Sequence, residues 1–161
     1  MSAKILVVSD THGMDRVFYD LYRKVKPVDM VIHAGDTQGS EDDMSRFVDC
    51  PFAAVMGNND FFSTMPKDRV FDYNGKRFFV THGHYYNVSF GYERLVDEAK
   101  SRGCDFAIFG HTHKPYYEVW EGIHVINPGS LSYPRQFSRK PTYAMIEIDA
   151  AGDVKVDLCE I

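Results

Sequence analysis

Seven polar side chains are of the right type and spacing to hold divalent metal ions: Asp10, His12, Asp36, Asn58, His82, His111 and His113. Each stands next to, or nearly next to, a glycine (Gly13, Gly35, Gly57, Gly83 and Gly110), a residue that permits sharp turns and close backbone approach. Asp10 and His12 are two residues apart, as are His111 and His113. In an extended segment that spacing sends both side chains of a pair to one side, toward one ion, while Thr11 and Thr112 face away. Imidazole, carboxylate and amide oxygen together suit Mn²⁺, Fe²⁺, Ni²⁺ or Zn²⁺ rather than Ca²⁺, which prefers oxygen alone. Each piece has a plainer explanation, because Asp-x-His recurs by chance and Gly-Asp after a strand often marks a turn or a helix cap. Order and placement of all five segments together carry the metal reading.

The elements that must position these residues are legible in the hydrophobic pattern. Lys4 to Ser9 reads as a strand covered on both faces, and Asp15 to Val25 as a helix closed by Pro27. Met30 to His33 is a second strand. Ser40 to Val48 is a helix with Ser40 as cap and Asp43 at capping-box distance, and Phe52 to Met56 is a third strand. Alternating strands and helices imply a parallel sheet with helices on its faces. The second half changes character. Asn74-Gly75 and Glu121-Gly122 mark hairpins, a further Gly-containing turn joins Tyr143–Asp149 to Val154–Glu160, Tyr92 to Arg102 is helical, and Asp105 to Phe109 is a buried strand. Two packed mixed sheets with outer helices, an α/β class built as an α/β/β/α sandwich, accommodate both halves in one domain spanning 1–161. The candidate ligands then fall at the carboxyl ends of strands, where α/β sheets bind ligands.

Composition narrows the function classes. The chain has 161 residues, 44% apolar and 25% charged, enough for one core without disulfides. Cys50, Cys104 and Cys159 are odd in number, with no CxxC pair, and read as small buried hydrophobes. A net charge of −5 disfavours an extended nucleic-acid partner, and Arg135, Arg139 and Lys140 read as a solvated loop. No segment has the length and apolarity of a membrane span or a signal sequence, so the expectation is a cytoplasmic protein without a membrane partner.

The motifs Asp10-Thr11-His12, Gly35-Asp36, Gly57-Asn58-Asn59-Asp60, Thr81-His82-Gly83-His84 and Gly110-His111-Thr112-His113 resemble, in order, those of the calcineurin-like metallophosphoesterases. Within that family the likeness is to the small single-domain phosphodiesterases of bacteria and archaea. The resemblance implies a four-layer fold and two divalent ions, among which Mn²⁺ is placed first and Ni²⁺, Fe²⁺ and Zn²⁺ follow. It implies that Asp10, His12 and His113 bind one ion, that Asn58, His82 and His111 bind the other, and that Asp36 bridges them. It further implies in-line attack of a metal-bridging hydroxide on a small phosphate ester, most simply a diester. Four metal charges less three from Asp10, Asp36 and hydroxide would leave a formal surplus of about one for an anionic substrate. Asn127-Pro128-Gly129-Ser130 resembles a loop that the small members place near the site.

One position departs from the family pattern. Asn59 stands where many members carry a histidine that touches phosphate, and an amide cannot pass a proton to a leaving group at neutral pH. Asp60 is expected to orient a ligand, and His84 to face the crevice and contact substrate; with Asn59 these are the candidate catalytic residues. His33 and His124 are expected to be structural. Phe61, Phe62, Tyr85, Tyr86 and Phe90 are read first as core or subunit packing and second as a nucleobase pocket. Competing functions are a phosphomonoesterase and a non-catalytic protein-interaction scaffold, the role one retromer subunit has on this fold. A homodimer or homotetramer is the expected assembly.

Overall fold

Strand β1 (Ala3–Val8) shows how one apolar run serves two layers. Its alternate side chains leave on opposite faces: Ile5 and Val7 enter one hydrophobic cluster, Leu6 and Val8 another. The same division recurs at β5 (Lys76–Thr81), where Phe78 and Val80 join the first cluster while Phe79 joins a third. The computed structural model describes Met1–Ile161, and the remaining elements follow this logic.

Helices α1 (Arg16–Val25) and α2 (Glu41–Phe47) cover the outer face of a sheet formed by β1, β2 (Met30–His33), β3 (Phe52–Ala54), β9 (Thr142–Ile148) and β10 (Val154–Glu160), in the order β10-β9-β1-β2-β3. Phe18 and Leu21 of α1 and Met44 of α2 pack there on Leu6, Val8 and Val31. The second sheet has the order β4-β5-β6-β8-β7, with β4 (Asp68–Tyr73), β6 (Phe106–Ile108), β7 (Pro115–Trp120) and β8 (Ile123–Pro128). Helix α3 (Glu93–Ser101) lays Leu95, Val96 and Ala99 on its outer face against Phe79, Ala107 and Val125. Between the sheets lies the central cluster of Ile5, Val7, Ile32, Phe78, Phe106, Ile108, Ile126 and Ile146. Phe78 and Phe106 stack there with centroids 4.4 Å apart. Burying a side chain of that size contributes about 1.5–3 kcal/mol. The four-layer α/β/β/α architecture with two mixed sheets is therefore the one expected.

Pairing is parallel among β1, β2 and β3, and again among β5, β6 and β8, so these strands end at one side of the molecule. Three local expectations fail. Strand β3 stops at Ala54 because Met56 donates instead to the carbonyl of Pro66. Ser40 has αR backbone geometry (φ −96°, ψ 0°) rather than the extended geometry of a capping residue, and its hydroxyl makes no cap bond. Asp43 pairs with Arg46 at 2.6 Å instead of completing a capping box. Of the cysteines only Cys104 is buried; Cys50 and Cys159 are half-exposed. No helix is long and apolar enough to cross a membrane.

Candidate metal centre

The loop after β1 and the loop after β2 run side by side, continuing the parallel pairing beyond the strands. Asp10 N–H donates to Gly35 O (3.0 Å), His12 N–H to Asp36 O (2.9 Å) and Gly13 N–H to Thr37 O (3.1 Å). The two members of each ligand pair do not share a face through strand alternation, as the spacing argument supposed. Asp10, His12, His111 and His113 all have left-handed backbone, with φ of 53°, 48°, 70° and 61°, as does Asp36 at 62°. Residues that are not glycine rarely adopt this conformation, which costs of order 1–3 kcal/mol each and concentrates at functional sites. The strand ends therefore deliver the residues, and strained loop backbone aims them.

These turns gather one cluster. His113 Nε2 lies 3.1 Å from Asp10 Oδ1 and 3.3 Å from His12 Nε2, and His12 Nε2 lies 3.6 Å from Asp10 Oδ1. On the far side of Asp36, His82 Nε2 lies 3.3 Å from Asp36 Oδ2, while His12 Nε2 approaches the same oxygen to 3.6 Å. His111 Nδ1 sits 3.2 Å from Asn58 Oδ1, and the His111 and His82 ring centroids are 5.2 Å apart. Two groups have donor atoms mutually within 4.8 Å: Asp10, His12 and His113, and Asp10, Asp36 and His82. The second group places Asp10 within reach of both positions, which sequence reasoning did not anticipate.

The donor set fits metal ions on an independent ground. Asp10 Oδ1 and His82 Nε2 are buried without a hydrogen-bond partner, 3.8 Å apart. A buried carboxylate oxygen and a buried imidazole nitrogen left unpaired are costly unless a further cation completes them. Backbone carbonyls fix the tautomers: His82 Nδ1–H donates to Ala34 O and His113 Nδ1–H to Tyr133 O, each at 2.7 Å, leaving Nε2 as the lone-pair atom facing the cluster. Burial alone would push His82 down, but without a metal ion the Asp36 carboxylate 3.3 Å away and the charge of Asp10 favour a proton on it and raise it to about 9. Burial would raise Asp10 and Asp36, yet the surrounding histidines and, at Asp36, the two hydrogen bonds from Asn59 keep both carboxylates below their ordinary value.

Supporting residues complete the picture. Asp60 accepts from Asp36 N–H and Gly57 N–H at 2.8 Å each and from Gln38 N–H at 2.6 Å, so one carboxylate ties two ligand loops together. Asn59 donates to Asp36 twice, from its backbone to Oδ1 (2.8 Å) and from its side-chain amide to Oδ2 (2.9 Å). Ser130 and Ser132, the second unremarked in the sequence, donate their hydroxyls to Asp10 O at 2.8 and 2.7 Å. Asn127 holds the histidine loop through Gly110 O and Thr112 Oγ1, both at 3.0 Å. The 127–130 loop thus braces both ends of the cluster.

The other histidines take three different positions. His33 is buried, with Nδ1 accepting from Gly35 N–H (3.1 Å) and Nε2 bonded to the Thr11 hydroxyl (3.0 Å). His124 stacks on Phe106 and bonds the Tyr117 hydroxyl. His84 sits at the rim, its ring 5.4 Å from His82 and 6.0 Å from His111, with Nδ1 unpartnered; burial and the neighbouring histidines push it down to about 4. Of the five aromatics beside the motifs, only Tyr86 packs on a core cluster, while Phe61, Phe62, Tyr85 and Phe90 are exposed.

Comparison with known proteins agrees with this geometry. Residues 3–151 match the calcineurin-like phosphoesterase superfamily domain. A probable metallophosphoesterase of Mycoplasma pneumoniae is 38% identical over 151 residues, covering 90% of this chain and 89% of its own length. A phosphodiesterase of Methanocaldococcus jannaschii is 31% identical over 150 residues, covering 78% of this chain and 82% of its own. The crystal structure of a predicted phosphoesterase from Streptococcus pneumoniae superposes with a TM-score of 0.87 at 30% identity, over 99% of this chain and 90% of that one. Vps29 of Entamoeba histolytica shares the fold at 22% identity and a TM-score of 0.78, over 98% and 99% of the two chains. With the family match spanning nearly its whole length and the aspartate and histidine groups able to hold metal in place, the chain belongs to the calcineurin-like phosphoesterase superfamily as a metal-dependent phosphoester hydrolase.

Proposed function

We propose that, within one domain spanning 1–161, Asp10, His12 and His113 hold one divalent ion, Asn58, His82 and His111 hold a second, and Asp36 bridges the two. The position of Asp36 Oδ2, between His12 Nε2 at 3.6 Å and His82 Nε2 at 3.3 Å, carries this reading. A single carboxylate oxygen faces a histidine of each set. When bound, such ions lower the pKa of water and neutralise charge on phosphate oxygens. The mixed imidazole, carboxylate and amide donors suit a borderline divalent ion, and the family likeness places Mn²⁺ ahead of Ni²⁺, Fe²⁺ or Zn²⁺.

The chain's own residues orient and exclude. Asn59 and Asp60 hold Asp36 in place from two directions. His84, its ring 5.4 Å from that of His82, stands at the crevice rim to contact a substrate oxygen. Asn59 supplies a hydrogen bond but no proton, so departure of the alcohol depends on its own stability as an anion.

The substrate in this reading is a small phosphodiester, supported by the relative named a phosphodiesterase, with monoester hydrolysis as the alternative. Convergence of all seven donor residues argues against a non-catalytic scaffold. Three free thiols suit the reducing cytoplasm. The exposed Phe61, Phe62 and Phe90 are the surface on which a homodimer or homotetramer would form, and sedimentation tests it. Initial rates on bis(p-nitrophenyl) phosphate and p-nitrophenyl phosphate, before and after chelation and Mn²⁺ return, test the whole. Faster diester turnover that chelation abolishes and Mn²⁺ restores is expected; turnover persisting in chelated protein would refute it.

A further inference from the structure

A cavity of about 310 Å³ opens beside the histidine loop, lined by Val88, Ser89, Tyr92, Thr112, Lys114 and Arg135. Thr112 stands between His111 and His113, and Lys114 follows His113 directly. Arg135 is fixed to the same loop, because its backbone N–H donates to His113 O at 3.0 Å. The floor is apolar, with Val88 buried and wedged against Gly83, where an added Cβ would meet Val88 Cγ2 at 2.8 Å. The lining residues carry two cations, three hydroxyls (Ser89, Tyr92 and Thr112) and no carboxylate.

Charge suits this wall to an anion. The chain has net charge −5, and several of its cations, such as Lys100 with Glu121 and Lys140 with Glu160, are spent on carboxylates. Lys114 and Arg135 have no carboxylate partner. Thr112 Oγ1 already accepts from Asn127 Nδ2 and from Lys114 N–H (3.3 Å), so its own proton is free to be donated outward. Three kinds of donor thus line one cavity that adjoins two proposed metal ligands: an ammonium, a guanidinium fork and hydroxyls.

We propose that this cavity is a subsite for a second anionic group of the substrate, a phosphoryl or carboxylate carried on the part of the ester that leaves or stays beyond the scissile phosphorus. The inference rests on the phosphoesterase reading of the adjoining centre and specifies its substrate class: small esters with two anionic groups. Arg135 supplies paired donors suited to a tetrahedral or planar oxyanion, Lys114 a point charge, and Thr112 and Ser89 the remaining hydrogen bonds.

The test uses two aryl phosphodiesters, propyl p-nitrophenyl phosphate and 3-phosphonopropyl p-nitrophenyl phosphate, with the Mn²⁺-loaded protein and its Lys114→Gln/Arg135→Gln variant. Both side chains are exposed, and the Arg135 backbone bond survives substitution. In wild type kcat/KM is expected to favour the phosphonate ester about tenfold, the scale of a charge-assisted hydrogen bond, and the ratio to fall to near one in the variant. A wild-type ratio near one, or an undiminished ratio in the variant, would overturn the subsite while leaving the phosphodiesterase reading intact. Calorimetric titration of the protein with 3-phosphonopropionate and with propylphosphonate gives a readout free of turnover. Tighter wild-type binding of the probe with two anionic groups, lost in the variant, supports the subsite even if neither ester is cleaved; equal affinity for the two probes contradicts it.

Discussion

Asn59 grips Asp36 with two hydrogen bonds, one from its backbone to Oδ1 and one from its side-chain amide to Oδ2, the oxygen that also faces His12 and His82. Its amide is therefore engaged in orienting a ligand. Replacing Asn59 by Ala keeps the backbone bond and deletes the other. The expected result is metal affinity weaker by about tenfold, the usual effect of losing an outer-sphere partner, measured by competition with a chelating dye. The aryl-to-alkyl rate ratio should stay high in wild type and variant alike. Equal cleavage of an alkyl and an aryl diester by wild type would show that a proton donor operates after all.

Asp60 accepts from the N–H groups of Asp36, Gly57 and Gln38. In Asp60→Asn an NH₂ group must face at least one of these donors, leaving a buried group unpaired. A loss of about 2–3 kcal/mol in the unfolding free energy of chelated protein is expected. Urea denaturation measures it, and a change under about 0.5 kcal/mol, typical of a surface substitution, would show that the carboxylate is dispensable.

Gly57 lies so close to Asp36 that an added Cβ would overlap Asp36 Oδ1 and Asp36 N. Gly57→Ala is therefore expected to displace the Asp36 carboxylate and reduce turnover by about 100-fold, since misplacement by an ångström has effects of that size. Far-ultraviolet circular dichroism should remain native. Full activity would mean that the loop yields without moving Asp36.

His33 sets a pH dependence of stability. Burial pushes its pKa down to about 4, although the charges of Asp10 and Asp60 oppose this. With an unfolded value near 6.5, both states are neutral above that pH and the stability is fully present. As pH falls from about 6.5 to about 4 the unfolded chain takes up a proton that the folded one refuses, and up to about 3 kcal/mol is lost. The difference in urea midpoint between wild type and His33→Gln, in chelator, should therefore shrink on acidification over that window. A constant difference would place His33 outside the titration.

The layers were legible because one physical rule governs them. An apolar run such as Ile5-Leu6-Val7-Val8 must be covered on both faces, and its alternate residues do enter separate clusters. The candidate ligand residues were legible from their types and their glycine neighbours. Their aiming was not, because two-residue spacing describes a strand, whereas Asp10, His12, His111 and His113 take left-handed backbone set by contacts between loops distant in sequence. Ser40 and Asp43 matched a capping pattern, but an αR backbone at Ser40 prevented the bond. The loop of Ser130 was legible only through its family likeness, and the bracing by Ser132 of a carbonyl some 120 residues earlier left no local trace in the sequence.

The central claim is that Asp36 is shared by two metal ions. Metal content per chain together with turnover of bis(p-nitrophenyl) phosphate, compared between wild type and Asp36→Asn, tests it most directly. The account predicts two Mn²⁺ per wild-type chain, fewer in the variant, and a fall in turnover of at least about 100-fold, as loss of a charged ligand at a two-metal centre implies. Two ions retained with unchanged turnover in Asp36→Asn would contradict it.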